Sequence, residues 1–95
     1  MSNVTLTPNE ITAMKATLNY NDRESQHSDN FSNAGVDELQ GVLNWNKHQV
    51  AALIGSLEKK GMAWYDAEFD LLWLNPEGVD AIFDVIDNEP TTVAA

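Results

Sequence analysis

The chain of 95 residues contains no cysteine, which excludes disulfides and thiolate metal sites and suits a cytoplasmic setting. It is poor in positive charge. Five basic residues face fifteen acidic ones, for a formal net charge of -10. Such a chain is repelled at long range by nucleic acid and by anionic surfaces. No run of about 18 apolar residues occurs, so no membrane span is expected. The opening MSNVTLTPNE has no basic segment followed by an apolar one, so no signal peptide is expected. His27 and His48 are the only histidines, one in a polar loop and one on a helix, and no evident nucleophile goes with either. With no triad, phosphate loop or metal motif, neither enzymatic activity nor a cofactor is expected. Asp22, Glu24, His27 and Asp29 come nearest to a ligand cluster, but their spacing matches no metal-binding pattern.

What is present is an ordinary apolar fraction, 43%, enough for one small domain with one core. The most ordered stretch is VDELQGVLNWNKHQVAALIGSLEKKG, residues 36–61. Leu39, Val42 and Leu43 give a first helix its apolar face. Val50, Leu53, Ile54 and Leu57 repeat at i, i+3, i+4 and i+7 on one side of a second. Asn46 with Gln49 three residues on is a capping box, and Gly61 after Lys59 and Lys60 is a helix stop. Two helices at a tight corner form a helix-turn-helix, whose second helix can enter a major groove. Trp45 is expected to pack beneath the corner. The side of the second helix away from its apolar stripe carries His48, Ala52, Gly55 and Lys59, flanked by Lys47, Gln49 and Ser56. Gln can read adenine, and Lys can read guanine or phosphate.

Around this unit, Thr7-Pro8-Asn9-Glu10 starts a helix that Ile11, Met14 and Leu18 carry to about Tyr20. Residues 1–6 precede it as a tail. Residues 21–34 read as a polar loop in which Phe31 is the one bulky apolar anchor. Residues 62–74, MAWYDAEFDLLWL, read as a β-hairpin with Asp66, Glu68 and Asp70 at or near its tip. Asn75-Pro76 opens a last helix, 76–88, with Val79, Ile82, Phe83 and Ile86 on one face and Asp80, Asp84 and Asp87 on another. Residues 89–95 read as a frayed tail.

The charge is uneven along this order. Residues 36–61 hold Lys47, Lys59 and Lys60 against Asp37, Glu38 and Glu58, three against three, hence neutral. Residues 62–95 hold eight acidic groups and no basic one, hence -8.

The order helix, helix, helix, two-stranded wing and final helix resembles a winged helix-turn-helix domain, an α+β and mostly helical fold. Leu57-Glu58-Lys59-Lys60-Gly61 and Leu74-Asn75-Pro76-Glu77-Gly78 resemble the MarR type, with Asn75 where that family has Thr. The resemblance covers residues 8–88. It implies transcriptional regulation, with Asn46, Lys47, His48, Gln49, Ala52, Ser56 and Lys59 toward double-stranded DNA and the wing near a phosphate backbone. It also implies that a homodimer would be built from the first or last helix. MarR-type wings usually carry basic residues, and this one carries Asp66, Glu68 and Asp70. The alternative is therefore an acidic interaction module or DNA mimic. There Asp66, Glu68, Asp70, Asp80, Asp84 and Asp87 would meet a basic protein surface.

Overall fold

A computed structural model describes residues 5–29 and 32–88. Five helices and a small antiparallel sheet follow one another as α1 (Pro8–Ala16), α2 (Arg23–Asp29), β1 (Asn33–Gly35), α3 (Val36–Leu43), α4 (Lys47–Lys59), β2 (Ala63–Asp66), β3 (Leu71–Leu74) and α5 (Pro76–Asn88). The fold is α+β and mostly helical, as expected. It has one helix and one strand more than expected.

The start of α1 is the capping box read from the sequence. The Glu10 N–H donates to Thr7 Oγ1 (3.2 Å) and the Thr7 N–H to Glu10 Oε1 (2.8 Å). The helix stops at Ala16, short of Tyr20. Thr17, fully buried, ends it by donating Oγ1–H to the Met14 carbonyl at 2.6 Å. The N–H groups of Asn19 and Tyr20 then turn to one acceptor, Gln26 Oε1, each at 2.9 Å.

Gln26 also corrects the reading of residues 21–34 as a loop. They contain α2 and β1. Asp22 Oδ2 accepts the Ser25 N–H at 3.0 Å and caps α2. Gln26 is buried within α2 and donates Nε2–H to Ser32 Oγ at 2.7 Å. Its amide therefore ties the end of α1 to the approach of β1. A buried amide whose oxygen and nitrogen both find partners gives a polar segment a fixed shape. Phe31 lies outside the described residues. The expected tail 1–6 is likewise shortened, because Leu6 packs on the core and the Thr5 carbonyl accepts from Lys60 Nζ at 2.7 Å. Residues 89–95 lie outside the described residues.

In α3 the apolar face is Val36, Leu39 and Leu43, at i, i+3 and i+7. Val42, expected on that face, falls off it and is 50% exposed. Asn44, at φ 56°, closes α3 in the left-handed region, where Asn is tolerated. The Asn46 box opens α4 as expected, with Gln49 N–H to Asn46 Oδ1 at 2.9 Å and Asn46 N–H to Gln49 Oε1 at 3.0 Å. Val50, Leu53, Ile54 and Leu57 are all buried. Gly61, at φ 75°, ends the turn. Its N–H donates to the Glu58 carbonyl and the next N–H, of Met62, to the Leu57 carbonyl, both at 3.0 Å. This pair of bonds is the Schellman arrangement.

The sheet order is β1-β3-β2. The register pairs Trp64 with Trp73 and Tyr65 with Leu72 across the hairpin, and Ala34 with Leu72 on the other side. Ala34, Ala63, Leu72 and Leu74 face the core. The core closes with Val79, Ile82 and Phe83 of α5 and Ala13 and Met14 of α1. Asn75 starts α5 through its main-chain carbonyl, which accepts the Val79 N–H at 3.0 Å. Its side-chain amide donates to the Gly61 carbonyl at 3.2 Å.

Glu10 is buried, at 2% exposure, and is the centre of the α1–α4 contact. It accepts from Lys60 Nζ (2.6 Å) and Ser56 Oγ (2.7 Å) as well as from Thr7. Burial pushes its carboxyl up, but the hydrogen bonds from Lys60, Thr7 and Ser56 outweigh burial and hold it below the ordinary value.

Two predictions follow from these contacts. A Cβ at Gly78 would lie 2.0 Å from the Met62 carbonyl oxygen, whereas one at Gly55 would meet nothing within 4 Å. Gly78→Ala should cost about 2–3 kcal/mol, while Gly55→Ala should stabilise α4 by up to about 1 kcal/mol; urea denaturation of the pair measures both. Glu10→Ala should cost about 3 kcal/mol at neutral pH by stranding Lys60. Because the folded carboxyl titrates low, its contribution is complete above its unfolded value and fades as pH falls through the folded one. The gap between wild type and Glu10→Ala should thus be full above the ordinary glutamate value of about 4.3 and narrow as pH falls below it, in unfolding curves recorded against pH.

Candidate recognition surfaces

Two surfaces are presented outward, the free side of α4 and the outer face of the hairpin. On α4, Lys47, His48, Gln49, Ala51, Ala52, Gly55 and Lys59 are exposed on one helix. Not all of the residues expected to face DNA are available there. Asn46 and Gln49 spend one side-chain oxygen each on the capping box, and Ser56 is half-buried and donates to Glu10. Lys47, His48, Ala52 and Lys59 make no side-chain hydrogen bond or ion pair among the described residues.

The positive charge is largely spent inside the molecule. Lys60 is bound to Glu10 and to the Thr5 carbonyl. Arg23 of α2 reaches across to α5, with 2.6 Å to Asp84, 3.6 Å to Asp87 and 3.7 Å to Asp80. The Asp84 hydrogen bond, against some burial and with the fields of all three carboxylates, holds the guanidinium above its ordinary value. Lys15 lies beside Leu18, Asn19, Phe83 and Ile86, away from α4's free side. Lys47 and Lys59 make no ion pair among the described residues.

The acidic stripe of α5 is where α2 docks. Besides Arg23, His27 Nε2 lies 2.9 Å from Asp80 Oδ1. Asp80, Asp84 and Asp87, expected either as a solvated face or as a partner site, thus hold a neighbouring helix. Their side chains stay 53–70% exposed. Among the described residues no group of three or more His, Asp or Glu could hold a metal.

The hairpin combines carboxylates and aromatic rings. Asp66 organises the turn, with Oδ1 accepting the N–H of Glu68 (3.0 Å) and Phe69 (3.4 Å) and Oδ2 accepting the Trp73 indole N–H (3.3 Å). Asp70, at φ 57°, accepts from the Tyr65 hydroxyl. That bond, then burial and the charges of Asp70 and Asp66, raises the Tyr65 pKa. The Tyr65 main-chain N–H, at the edge of β2, donates to Glu58 Oε2 of α4 at 3.2 Å. Glu68 has no such partner among the described residues. Trp64 stacks on Trp73, with centroids 5.7 Å apart and planes 7° from parallel. Trp64 is 44% exposed and Phe69 at the turn 66%. The sequence places Trp64 and Trp73 in the hairpin without showing which face they take. The signal for them was register, since a four-residue connection after Asp66 puts Trp64 and Trp73 on the outer face of the pleat together.

Between α4 and the hairpin lies a groove of about 210 Å³, walled by Val36, Ala51 and Ile54 and rimmed by Lys47, Glu58, Tyr65 and Asp70. It is smaller than the roughly 300–1,000 Å³ of small-molecule sites. Trp45 is half-buried against the core at the corner, as expected.

The protein is thus an α+β domain, mostly helical, with an outward helix and an aromatic, acidic hairpin. No helix among the described residues is long and apolar enough to cross a membrane. Comparison with family models, with curated proteins and with solved structures returns no match to this chain.

The α2–α5 contact gives a third prediction. A seven-residue helix is too short to persist alone. Arg23→Gln should raise amide exchange across residues 23–29 about two- to fivefold while leaving exchange in α4 unchanged, as measured by proton-deuterium exchange.

Proposed function

We propose that this chain is a small winged helix-turn-helix module of MarR-like arrangement that docks to a basic protein surface through its wing. Three features support the winged-helix assignment. The α3–α4 pair turns at a short corner, the hairpin follows Gly61 at once, and β1 joins the free side of β3. The observation that carries the docking reading is the distribution of charge and rings. Outward positive charge on α4 amounts to Lys47 and Lys59, whereas the wing beside it carries Asp66, Glu68 and Asp70 with Trp64 and Phe69 exposed.

Duplex DNA presents a charge about every 1.7 Å, and proteins that hold it well neutralise several phosphates. Two lysines neutralise about two, and the wing's carboxylates oppose even those. Exposed aromatic rings with polar groups around them are instead the composition of protein contact sites.

A second reading is favoured by one observation. Lys47, His48, Ala52 and Lys59 lie exposed on one helix, which suits insertion into a DNA major groove. The two readings differ in a titration of labelled duplex DNA by fluorescence anisotropy at low salt. The docking reading expects no binding at micromolar protein. Micromolar or tighter binding, with log K falling against log salt at a slope near -2, would establish the DNA reading instead. In a nuclease-treated capture from the native host, the docking reading expects a partner that Trp64→Ala loses and Lys47→Ala with Lys59→Ala keeps.

A further inference from the structure

The outer face of the sheet is defined by register. Trp64 and Asp66 of β2, Leu71 and Trp73 of β3, and Asn33 and Gly35 of β1 stand on the side opposite the core. Within it the two indoles are held in one arrangement. The Trp73 N–H is fastened to Asp66 Oδ2, and Trp64 lies nearly parallel against Trp73. Trp73 thus lies against one face of Trp64 in offset stacking, and Trp64 remains 44% exposed. Asp66 sits two residues along the same strand face, about 6.6 Å away. Glu68 follows at the turn, exposed and without an ion pair among the described residues.

The charge selects the occupant. A second copy docked two-fold on this face would bring Asp66, Glu68 and Asp70 against the same carboxylates of its mate. Nucleic acid or an anionic membrane meets the same repulsion. A cation is attracted by both the carboxylates and the indole face. Of the two basic side chains, arginine fits better. Its guanidinium is flat, stacks on an aromatic ring, and can still donate from its edge to a carboxylate, whereas the lysine ammonium has no plane to stack.

We propose that the outer face of the hairpin binds an arginine-bearing segment of a partner protein. One guanidinium lies on the free face of Trp64 and donates from its edge to Asp66 and Glu68. This rests on the docking reading above and names the chemistry of the partner.

The test uses the full chain, labelled with nitrogen-15, and three short blocked peptides of alternating glycine with arginine, lysine or glutamate. The chain has three tryptophans, so three indole N–H signals are followed. The arginine peptide should shift the signals of Trp64 and Trp73 and leave that of Trp45. The lysine peptide should bind several-fold more weakly, and the glutamate peptide should not bind. Trp64→Ala and Glu68→Lys, both at exposed positions, should each weaken the arginine peptide about three- to tenfold, and Lys47→Ala should not. Unchanged spectra of the core amides confirm the fold of each variant. Equal binding of the lysine peptide, or indifference to Trp64→Ala, would reduce the effect to counterion attraction and overturn the proposal. No binding of the arginine peptide would overturn it too, while a Trp64-dependent partner in the nuclease-treated capture would leave the docking reading standing. Self-association in sedimentation that Trp64→Ala abolishes would assign the face to a second copy, and duplex DNA that shifts the same indoles would overturn both readings.

Discussion

Met62 is the residue on which three elements converge. Its N–H closes the end of α4 on the Leu57 carbonyl, and its own carbonyl accepts the Asn75 N–H at 2.9 Å. That carbonyl lies where a Cβ of residue 78 would stand, so the first turn of α5 can settle only if that residue is glycine. Asn75 completes the junction by donating its side-chain amide to the Gly61 carbonyl. The end of the outward helix, the root of the hairpin and the start of the last helix are therefore one hydrogen-bonded knot. The two sequence phrases that suggested a winged helix, Leu57 to Gly61 and Leu74 to Gly78, are its two sides. Their glycines serve different ends: Gly61 supplies a positive φ, and Gly78 supplies absence of bulk.

With that junction set, the angle between α4 and the hairpin is fixed, and the placement of charge decides what the pair can touch. A chain with five basic groups has few to give away. Lys60 goes to the carboxylate that joins α1 to α4, and Arg23 goes to the carboxylates that hold α2 on α5. The two uses differ in kind. The Glu10–Lys60 pair is shielded on the Glu10 side, whose side chain is 3% exposed against 26% for Lys60, so removal of Lys60 would leave a buried carboxylate without its counter-charge. The Arg23 contacts are surface contacts, individually weak, and serve to position a helix too short to hold itself.

The legible parts of this fold were those written in short-range signals. The Thr7 and Asn46 capping boxes, the four-residue apolar repeat of α4 and the glycine stop at Gly61 each require a few neighbouring residues, and each stands where it was read. Residues 21–34 were misread because their order is tertiary. Gln26 is polar, and only the N–H groups of Asn19 and Tyr20 and the hydroxyl of Ser32 make its burial favourable. Asp22 with Ser25 three residues on was a cap signal in plain sight, but the seven residues after it carry no apolar stripe. Asn33-Ala34-Gly35 has almost no strand propensity and extends because β3 offers it a partner. In the candidate site, the exposed row on α4 was legible from period alone, while the loss of Ser56 to Glu10 depends on α1 packing beside it.

The tryptophan pair shows the same limit from the opposite direction. Apolar residues in a hairpin read as core, and in β3 that holds for Leu72 and Leu74. One residue out of phase, Trp73 stands on the other face, and the register places Trp64 beside it. A one-residue change of the turn would have sent Trp64 toward the core instead. The Asx hydrogen bonds that Asp66 makes to Glu68 and Phe69 set the length of that turn. The same carboxylate holds the Trp73 indole through its second oxygen. Asp66 thus determines both that the rings face outward and that negative charge lies next to them. Turn geometry and surface chemistry are coupled through one side chain, so the aromatic face cannot be had here without the acid that biases it toward a cation.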